Sequence, residues 1–287
     1  MKDACFKAYD IRGKIGLDID NETCYKIARA YARVMKPKQV VVGFDARETS
    51  PIFAKYVMMG LKDEGVDVVN IGLSGTEEMY WATSETRSSG GIQITASHNP
   101  IDYNGMKMVK ENSKPLESVS EFEKIKEMFC KEEFKEQTKK KGIVIDGVSS
   151  AKKAYVAKIN SFASNKISKK LKVLVNSGNG AAGPTFDAVV KKYAKNNPLV
   201  TFTKIFHEPD SSFPNGIPNP MLKKNRQPTK QKILENSADL GIAFDGDFDR
   251  CFFFDEKGEL IPGEVVIGTL AKVFLNNKKR SKIICDN

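Results

Sequence analysis

Three short polar clusters in this chain hold side chains that can do chemistry. The first is Gly91-Ile92-Gln93-Ile94-Thr95-Ala96-Ser97-His98-Asn99-Pro100, followed by Asn104, Gly105 and Lys107. An apolar run delivers a serine hydroxyl and one of only two histidines into a polar turn that a proline closes. A serine is a weak nucleophile until a base, a metal or prior modification activates it, and a serine in such a setting also serves simply to form the turn. His98 offers acid/base chemistry or a turn contact. Lys107 offers a cation to hold a phosphate or act as a base, or an ordinary solvated charge.

The second cluster is Asp245-Gly246-Asp247-Phe248-Asp249-Arg250. Three carboxylates at i, i+2 and i+4 repel one another: two like charges ~4 Å apart cost about 4 kcal/mol at an effective dielectric of about 20. They sit together only with a compensating cation or with solvent between them. Ligands that are all oxygen favour a hard ion, and Mg²⁺ fits if it keeps positions open for phosphate or water. Gly246 lets the backbone curl so that alternate side chains converge, and Arg250 adds a planar fork for an anion. Asp-Gly is also an ordinary hairpin signal, and Asp-x-Asp after a strand suits a phosphatase with Asp245 as nucleophile. The third cluster, Phe6-Lys7-Ala8-Tyr9-Asp10-Ile11-Arg12-Gly13, aims Tyr9 and Arg12 at a phosphate or forms a surface strand with a turn. The turns Asn176-Ser177-Gly178-Asn179-Gly180 and Pro214-Asn215-Gly216-Ile217-Pro218 read as structural; the first lacks the lysine of a P-loop.

Alternating strands and helices must position these groups. Residues 39–44 (QVVVGF) read as a buried strand. Ser50 as N-cap and Pro51 at the first helical position open a helix that Gly65 ends. A strand at 66–71, a helix at 76–84, strands at 91–95 and 106–109 and a helix at 117–130 follow. Strands separated by helices imply parallel pairing and layers. Residues 131–147 turn Lys-, Glu- and Gln-rich apart from Ile143-Val144-Ile145, and read as a surface connection. Beyond it come helices at 151–163, 181–192 and 230–236, and strands at 171–175, 199–206, 240–244 and 251–254. A helix at 264–274, the basic stretch 278–282 and a strand at 283–285 end the chain. One βα unit cannot bury both faces of a sheet, and strand-to-loop junctions are where α/β proteins place functional groups. The expected fold class is therefore α/β: two similar layered α/β domains of mixed sheets flanked by helices (1–147 and 148–257), plus the start of a third (258–287) that the chain leaves unfinished.

Composition narrows the function classes. At 287 residues the chain can hold two cores, and 40% hydrophobic with 29% charged residues is ordinary for a soluble protein. No run approaches the ~20 apolar residues of a membrane span, and Met1-Lys2-Asp3-Ala4-Cys5 has no signal core. Five scattered cysteines without a CxxC pair disfavour structural zinc and a disulfide framework, and fit a reducing cytoplasm. The net charge of +10 is spread; its densest run, Lys139-Lys140-Lys141, lies in the connection and not in an aromatic-studded groove. Nucleic acid is thus not the expected partner, and small phosphorylated molecules are.

The clusters occur together and in order in one family. KAYDIRG at 7–13, TASHNP at 95–100 with NGMK at 104–107, VNSGNGAAGP at 175–184 and DGDFDR at 245–250 resemble the motifs of the α-D-phosphohexomutases, in the bacterial branch that handles mannose and glucose phosphates. The resemblance runs the length of the chain, and the second and fourth motifs together are highly specific. It implies that Ser97 carries a phosphoryl group, and that Asp245, Asp247 and Asp249 bind Mg²⁺ with the Ser97 phosphate as a further ligand. It places Arg250, Lys107, His98, Tyr9, Arg12 and Asn104 around the phosphate or substrate. The implied reaction moves a phosphoryl group between O6 and O1 of a hexose by way of a hexose 1,6-bisphosphate. Phosphoserine adds about −1.5 to −2 charges, so the local charge with three carboxylates nears −5, and Mg²⁺ returns only two. Arg250, Lys107 and Arg12 are expected to offset the remainder. Family members have four domains, and the loops that read the sugar and grip its other phosphate are expected beyond Asn287. A C-terminal complementing fragment is therefore an expected partner. Phosphoglucomutase specificity and a non-catalytic remnant that binds metal or a partner remain the alternatives.

Overall fold

The computed structural model describes residues 3–131, 134, 140–162, 167–277 and 282–283. The chain builds two mixed sheets in succession. The first has six strands: β1 (Ile11–Lys14), β2 (Gln39–Phe44), β3 (Asp67–Leu73), β4 (Gly90–Ile94), β5 (Tyr103–Lys110) and β6 (Val144–Asp146), in the order β1-β5-β4-β2-β3-β6. β2 pairs in parallel with β3 and β4, and β3 with β6. β5 runs antiparallel to both β4 and β1. The β-branched run of β2 explains its central place, because strand alternation sends its residues to two different cores. Val40 and Val42 face a core with Ile27, Tyr31, Leu61, Phe122 and Ile125, supplied by α1 (Asn21–Met35), α2 (Ser50–Asp63) and the region of α4 (Glu123–Lys131). Val41 faces the other side with Val69, Ile71, Met79 and Ala82, where α3 (Thr76–Glu85) packs. Gly43 lets the layers close there: a Cβ on it would lie 2.3 Å from Ser74 Oγ.

The second sheet has four strands, β7 (Leu171–Asn176), β8 (Val200–Ile205), β9 (Leu240–Phe244) and β10 (Cys251–Phe254), in the order β10-β9-β7-β8. β7 is parallel to β8 and β9, and β10 is antiparallel to β9. Leu174, Ala243 and Phe254 pack with Ile233 of α7 (Lys223–Asn236), while Val173 and Val175 face Phe186 and Tyr193 of α6 (Ala182–Asn196). α5 (Val148–Phe162) joins the two sheets, and Ala151 reaches the core beneath α3. The chain is α/β with mixed sheets between helices, as its alternation implies. A last helix, α8 (Gly263–Asn277), carries Val265, Ile267, Leu270, Val273 and Phe274 at least half exposed. No described helix is long and apolar enough to cross a membrane.

Several local expectations change. Thr49, not Ser50, is the N-cap of α2; Ser50 lies inside the helix and donates its hydroxyl to Asp45 Oδ1 at 2.6 Å. The helix expected at 117–130 starts as a π-helical turn, Ser118–Phe122. The connection at 131–147 is not wholly outside the sheet, because Val144–Asp146 adds its edge strand. α7 begins at Lys223 and runs through Pro228, which sequence rules place at a boundary. Ile283 is not in a strand, and Ile284 and Cys285 lie outside the described residues.

Candidate active site

The carboxyl ends of β4 and β9, one from each sheet, deliver the serine turn and the aspartate turn to the same place. The serine turn is built tightly. Ser97 takes a left-handed backbone (φ 48°), and its N–H donates to Thr95 Oγ1 at 2.8 Å. Arg47, buried after β2, donates to four carbonyls of the turn: Ser97 at 3.0 Å, Asn99 at 2.6 Å, and Pro100 and Tyr103 at 2.9 Å. One buried guanidinium thus ties together four carbonyls of the turn and fixes its shape. Asp45 faces Arg47 at 3.6 Å; burial pushes its carboxyl up, against the opposing charge of Arg47.

The aspartate turn fits against this frame because of two glycines. A Cβ on Gly246 would fall 2.7 Å from Ser97 O, and one on Gly180 would fall 2.7 Å from Gly246 O. Ala181 N–H donates to Gly246 O at 3.1 Å, so the 176–180 turn underlies the aspartates. Ser97 Oγ donates to Asp245 Oδ2 at 2.9 Å. Lys107 Nζ, on β5, donates to Asp247 Oδ2 at 2.7 Å and to Asp249 Oδ2 at 2.6 Å. Arg250 Nη2 lies 3.4 Å from Ser97 Oγ, and His98 Nδ1 lies 3.2 Å from it.

The electrostatics follow from burial. Burial first, and then the charges of Asp247 and Asp249, push the Asp245 carboxyl up to about 7. Burial acts the same way on Asp247, but the Lys107 ammonium and its hydrogen bond, with that of Thr76, hold it below the usual range. Burial would make Lys107 less basic, but its two carboxylate partners win and raise it. Burial, then Arg250 and Arg12, lower His98, which favours its neutral form. One carboxylate oxygen from each of Asp245, Asp247 and Asp249 lies within 4.8 Å of the others. Asp247 Oδ1 and Asp249 Oδ1 are buried without a hydrogen-bond partner. Three converging carboxylates, two of which keep a buried oxygen without a hydrogen-bond partner, suit a hard divalent cation, so these residues fit Mg²⁺.

Eight of the ten residues singled out in the sequence meet here: Ser97, His98, Lys107, Asp245, Asp247, Asp249, Arg250 and Arg12. Arg12 reaches it indirectly, donating to Thr95 O and pairing with Asp10 at 3.0 Å. The structure does not bring the other two to the cluster. Asn104 is buried and spends its amide on Thr49 Oγ1 and Ser50 Oγ, both at 2.9 Å, while its Oδ1 accepts from Gly105 N–H. Tyr9 is 82% exposed. Arg47 and Thr76 were not legible as site residues. A lone arginine in FDARETS reads as solvated, and Thr76 reads only as a helix start, until the fold places them. The turn at 176–180 holds a serine–histidine–carboxylate chain, with Ser177 Oγ 3.1 Å from His207 Nδ1 and His207 Nε2 2.9 Å from Asp187 Oδ1. Ser177 is fully buried, so this chain fastens the turn, in line with its structural reading.

Comparison with known proteins gives the family. The family model "Phosphoglucomutase/phosphomannomutase, alpha/beta/alpha domain I" matches residues 3–136, and the corresponding domain II matches residues 153–258. The chain belongs to this family. It is 45% identical over 283 residues to a phosphomannomutase of Escherichia coli, a match covering 98% of this chain and 62% of that protein. It is 40% identical over 283 residues to phosphohexose mutases of Xanthomonas campestris, with 98% and 61% covered. Its fold superposes with a TM-score of 0.83 on a crystal structure of a phosphoglucomutase/phosphomannomutase family protein from Burkholderia thailandensis, at 30% identity over 95% of this chain and 59% of that one. The chain thus spans about 62% of the length of the curated relatives it matches.

Proposed function

We propose that this protein supplies the phosphoserine and metal half of a phosphohexomutase that interconverts mannose 6-phosphate and mannose 1-phosphate. The observation that carries the reading is the hydrogen bond of Ser97 Oγ to Asp245, within a triad in which Asp247 Oδ1 and Asp249 Oδ1 are buried without a hydrogen-bond partner. In this reading Ser97 bears the phosphoryl group. Asp245, Asp247 and Asp249, with an oxygen of that phosphate, would hold Mg²⁺, which when bound stabilises charge on the phosphoryl oxygens. Arg250 stands beside Ser97 Oγ to meet those oxygens, and Arg12 fixes the turn from behind. When the sugar hydroxyl attacks, a P–O bond to the sugar forms as the bond to Ser97 Oγ breaks, giving a hexose 1,6-bisphosphate. The proton lost by the attacking hydroxyl is balanced by one gained at Ser97 Oγ as it leaves, and His98, neutral and with Nδ1 3.2 Å from that oxygen, is placed to take the proton back when Ser97 attacks in the return transfer. Lys107 balances the two carboxylates it bridges and meets developing phosphate charge. The reverse transfer, with the intermediate turned, returns the other phosphate to Ser97.

The names of the Escherichia coli relatives support mannose, and the family's printed name keeps glucose phosphates as the alternative substrate. We further propose domains at 1–147 and 148–257, with 258–287 opening a third. The exposed apolar face of α8 supports a covering partner, such as a C-terminal fragment matching the rest of the relatives' length. The scattered cysteines support work in the cytoplasm. Incubation with Mg²⁺ and a hexose 1,6-bisphosphate, followed by intact-mass analysis, tests the chemistry. The expected result is one added phosphoryl group on the wild type and none on Ser97→Ala. A folded, Mg²⁺-loaded wild type that stays unmodified overturns the reading. Isomerase assays with and without a C-terminal fragment separate an active half from a non-catalytic remnant.

A further inference from the structure

The first turn of α3 reaches from the first sheet to the aspartate turn. Thr76 N–H donates to Asp247 O at 3.1 Å, and Thr76 Oγ1 donates to Asp247 Oδ2 at 2.5 Å. That oxygen also accepts from Lys107 Nζ, so both donors lie on one side of the carboxylate and Oδ1 is left without a partner. Gly75 lies flat against Phe248, the residue after Asp247: a Cβ there would fall 2.4 to 2.7 Å from three ring atoms. The turn is braced from behind. Glu78 Oε2 accepts from Gly75 N–H at 3.0 Å, Lys152 Nζ of α5 reaches Glu78 Oε1 at 2.6 Å, and Thr185 Oγ1 of α6 donates to the same oxygen at 3.1 Å.

We propose that Thr76 is a positioning residue for the cation site. Its hydroxyl fixes the carboxylate of Asp247 across the interface, so that Oδ1 is held ready for a divalent ion. This rests on the metal reading given above. Outer-shell hydrogen bonds to ligating carboxylates set their orientation, and losing one typically weakens metal binding by about 10–100-fold. Thr76 does this from the other α/β unit, so metal affinity reports how the two units sit together.

Calorimetric titration of the full chain with MgCl₂ tests the proposal on wild type, Thr76→Val, Thr76→Ser and Asp247→Asn. The expected result is Mg²⁺ affinity about 10-fold or more weaker in Thr76→Val, and restored toward wild type in Thr76→Ser. A merely packing role predicts the opposite ranking, since valine keeps the volume and serine does not. Thr76→Ala removes the same hydroxyl should the valine variant fail to fold. Equal affinity in wild type and the hydroxyl-less variants overturns the proposal while leaving the metal reading intact. No Mg²⁺ binding by wild type, or wild-type affinity in Asp247→Asn, overturns the metal reading and this proposal with it.

Discussion

Replacing Lys107 with methionine separates two roles of one ammonium group. Lys107 Nζ bridges Asp247 Oδ2 at 2.7 Å and Asp249 Oδ2 at 2.6 Å, with its side chain 15% exposed and that of Asp247 fully buried. Counting these three carboxylates and this lysine alone, the formal charge of the cluster goes from −3 + 1 = −2 to −3. Removing one partner of a buried ion pair costs about 3–5 kcal/mol, because the charge left behind is uncompensated. The metal-free variant is therefore expected to lose stability of that order. Mg²⁺ should respond in the opposite sense. An ammonium that shares its carboxylates with a cation repels it; for scale, like unit charges ~4 Å apart cost about 4 kcal/mol at an effective dielectric of about 20. The loss of a carboxylate-orienting donor works against this by about 1.4–2.7 kcal/mol, the equivalent of 10–100-fold. Repulsion is the larger, so Lys107→Met should bind Mg²⁺ more tightly while being less stable without it.

Urea unfolding with and without Mg²⁺ measures both effects. It is best done at pH 8, above the value of about 7 to which Asp245 is pushed, so that this carboxyl is mostly ionised. Saturating ligand adds RT ln(1 + [L]/Kd), about 2.7 kcal/mol at a hundredfold excess over Kd. The variant's midpoint should start lower than that of wild type and rise further on adding Mg²⁺. An unchanged metal-free midpoint, or a Mg²⁺ increment no larger than that of wild type, refutes the account of Lys107 as a stand-in for the cation.

Two further perturbations test the frame. Asp20 caps α1 by accepting from Thr23 N–H at 2.7 Å, and that bond holds its carboxyl below 3.8. Its contribution is present above the unfolded value and is lost as pH falls through the lower folded value. Asp20→Ala should thus cost about 1 kcal/mol at pH 7, and denaturation curves of the two proteins should converge as pH falls below 3.8. Gly105 pairs with Arg12 between β5 and β1, and a Cβ on it would lie 1.9 Å from Ile11 O. Gly105→Ala should cost at least about 3 kcal/mol, and a thermal midpoint equal to wild type would show that the β1 edge is free to move.

What the sequence made legible is what local chemistry dictates. The run Val40-Val41-Val42 marks a two-faced buried strand, and the structure sends its residues to two cores. β6 escaped because it sits at an edge: all three of its residues remain exposed, so burial imposes no strong pattern on them. α7 escaped because Pro228 outweighs the surrounding helix formers in any local reading, whereas packing of Ile233 against Leu174 and Phe254 decides the matter in the fold. In the site, the chemical types of Ser97 and the three aspartates left turn-forming readings open, and it was their place in the family motifs that singled them out. Asn104 and Tyr9 belong to matching motifs too, yet a motif carries its structural and reactive residues alike. Only the fold shows that the amide of Asn104 is spent on Thr49 and Ser50.

The least legible feature is that the site exists only where two units meet. Asp245 accepts from Ser97 and Asp247 from Lys107 and Thr76, all donors that lie 140 to 171 residues earlier in the chain. Within the aspartate turn itself, the offsetting charge is Arg250, whose Nε stays 3.4 Å from Asp245 and 3.6 Å from Asp249. Taken from its partner unit, the turn would keep three carboxylates and lose their one close ammonium. The like-charge cost that marked the cluster in the sequence is thus answered across the interface, and each unit supplies what stabilises the other. Metal affinity and the docking of the two units should then be linked: the interface brings both Thr76, which orients Asp247 for the cation, and Lys107, whose charge the cation partly replaces, so a change in docking changes metal affinity.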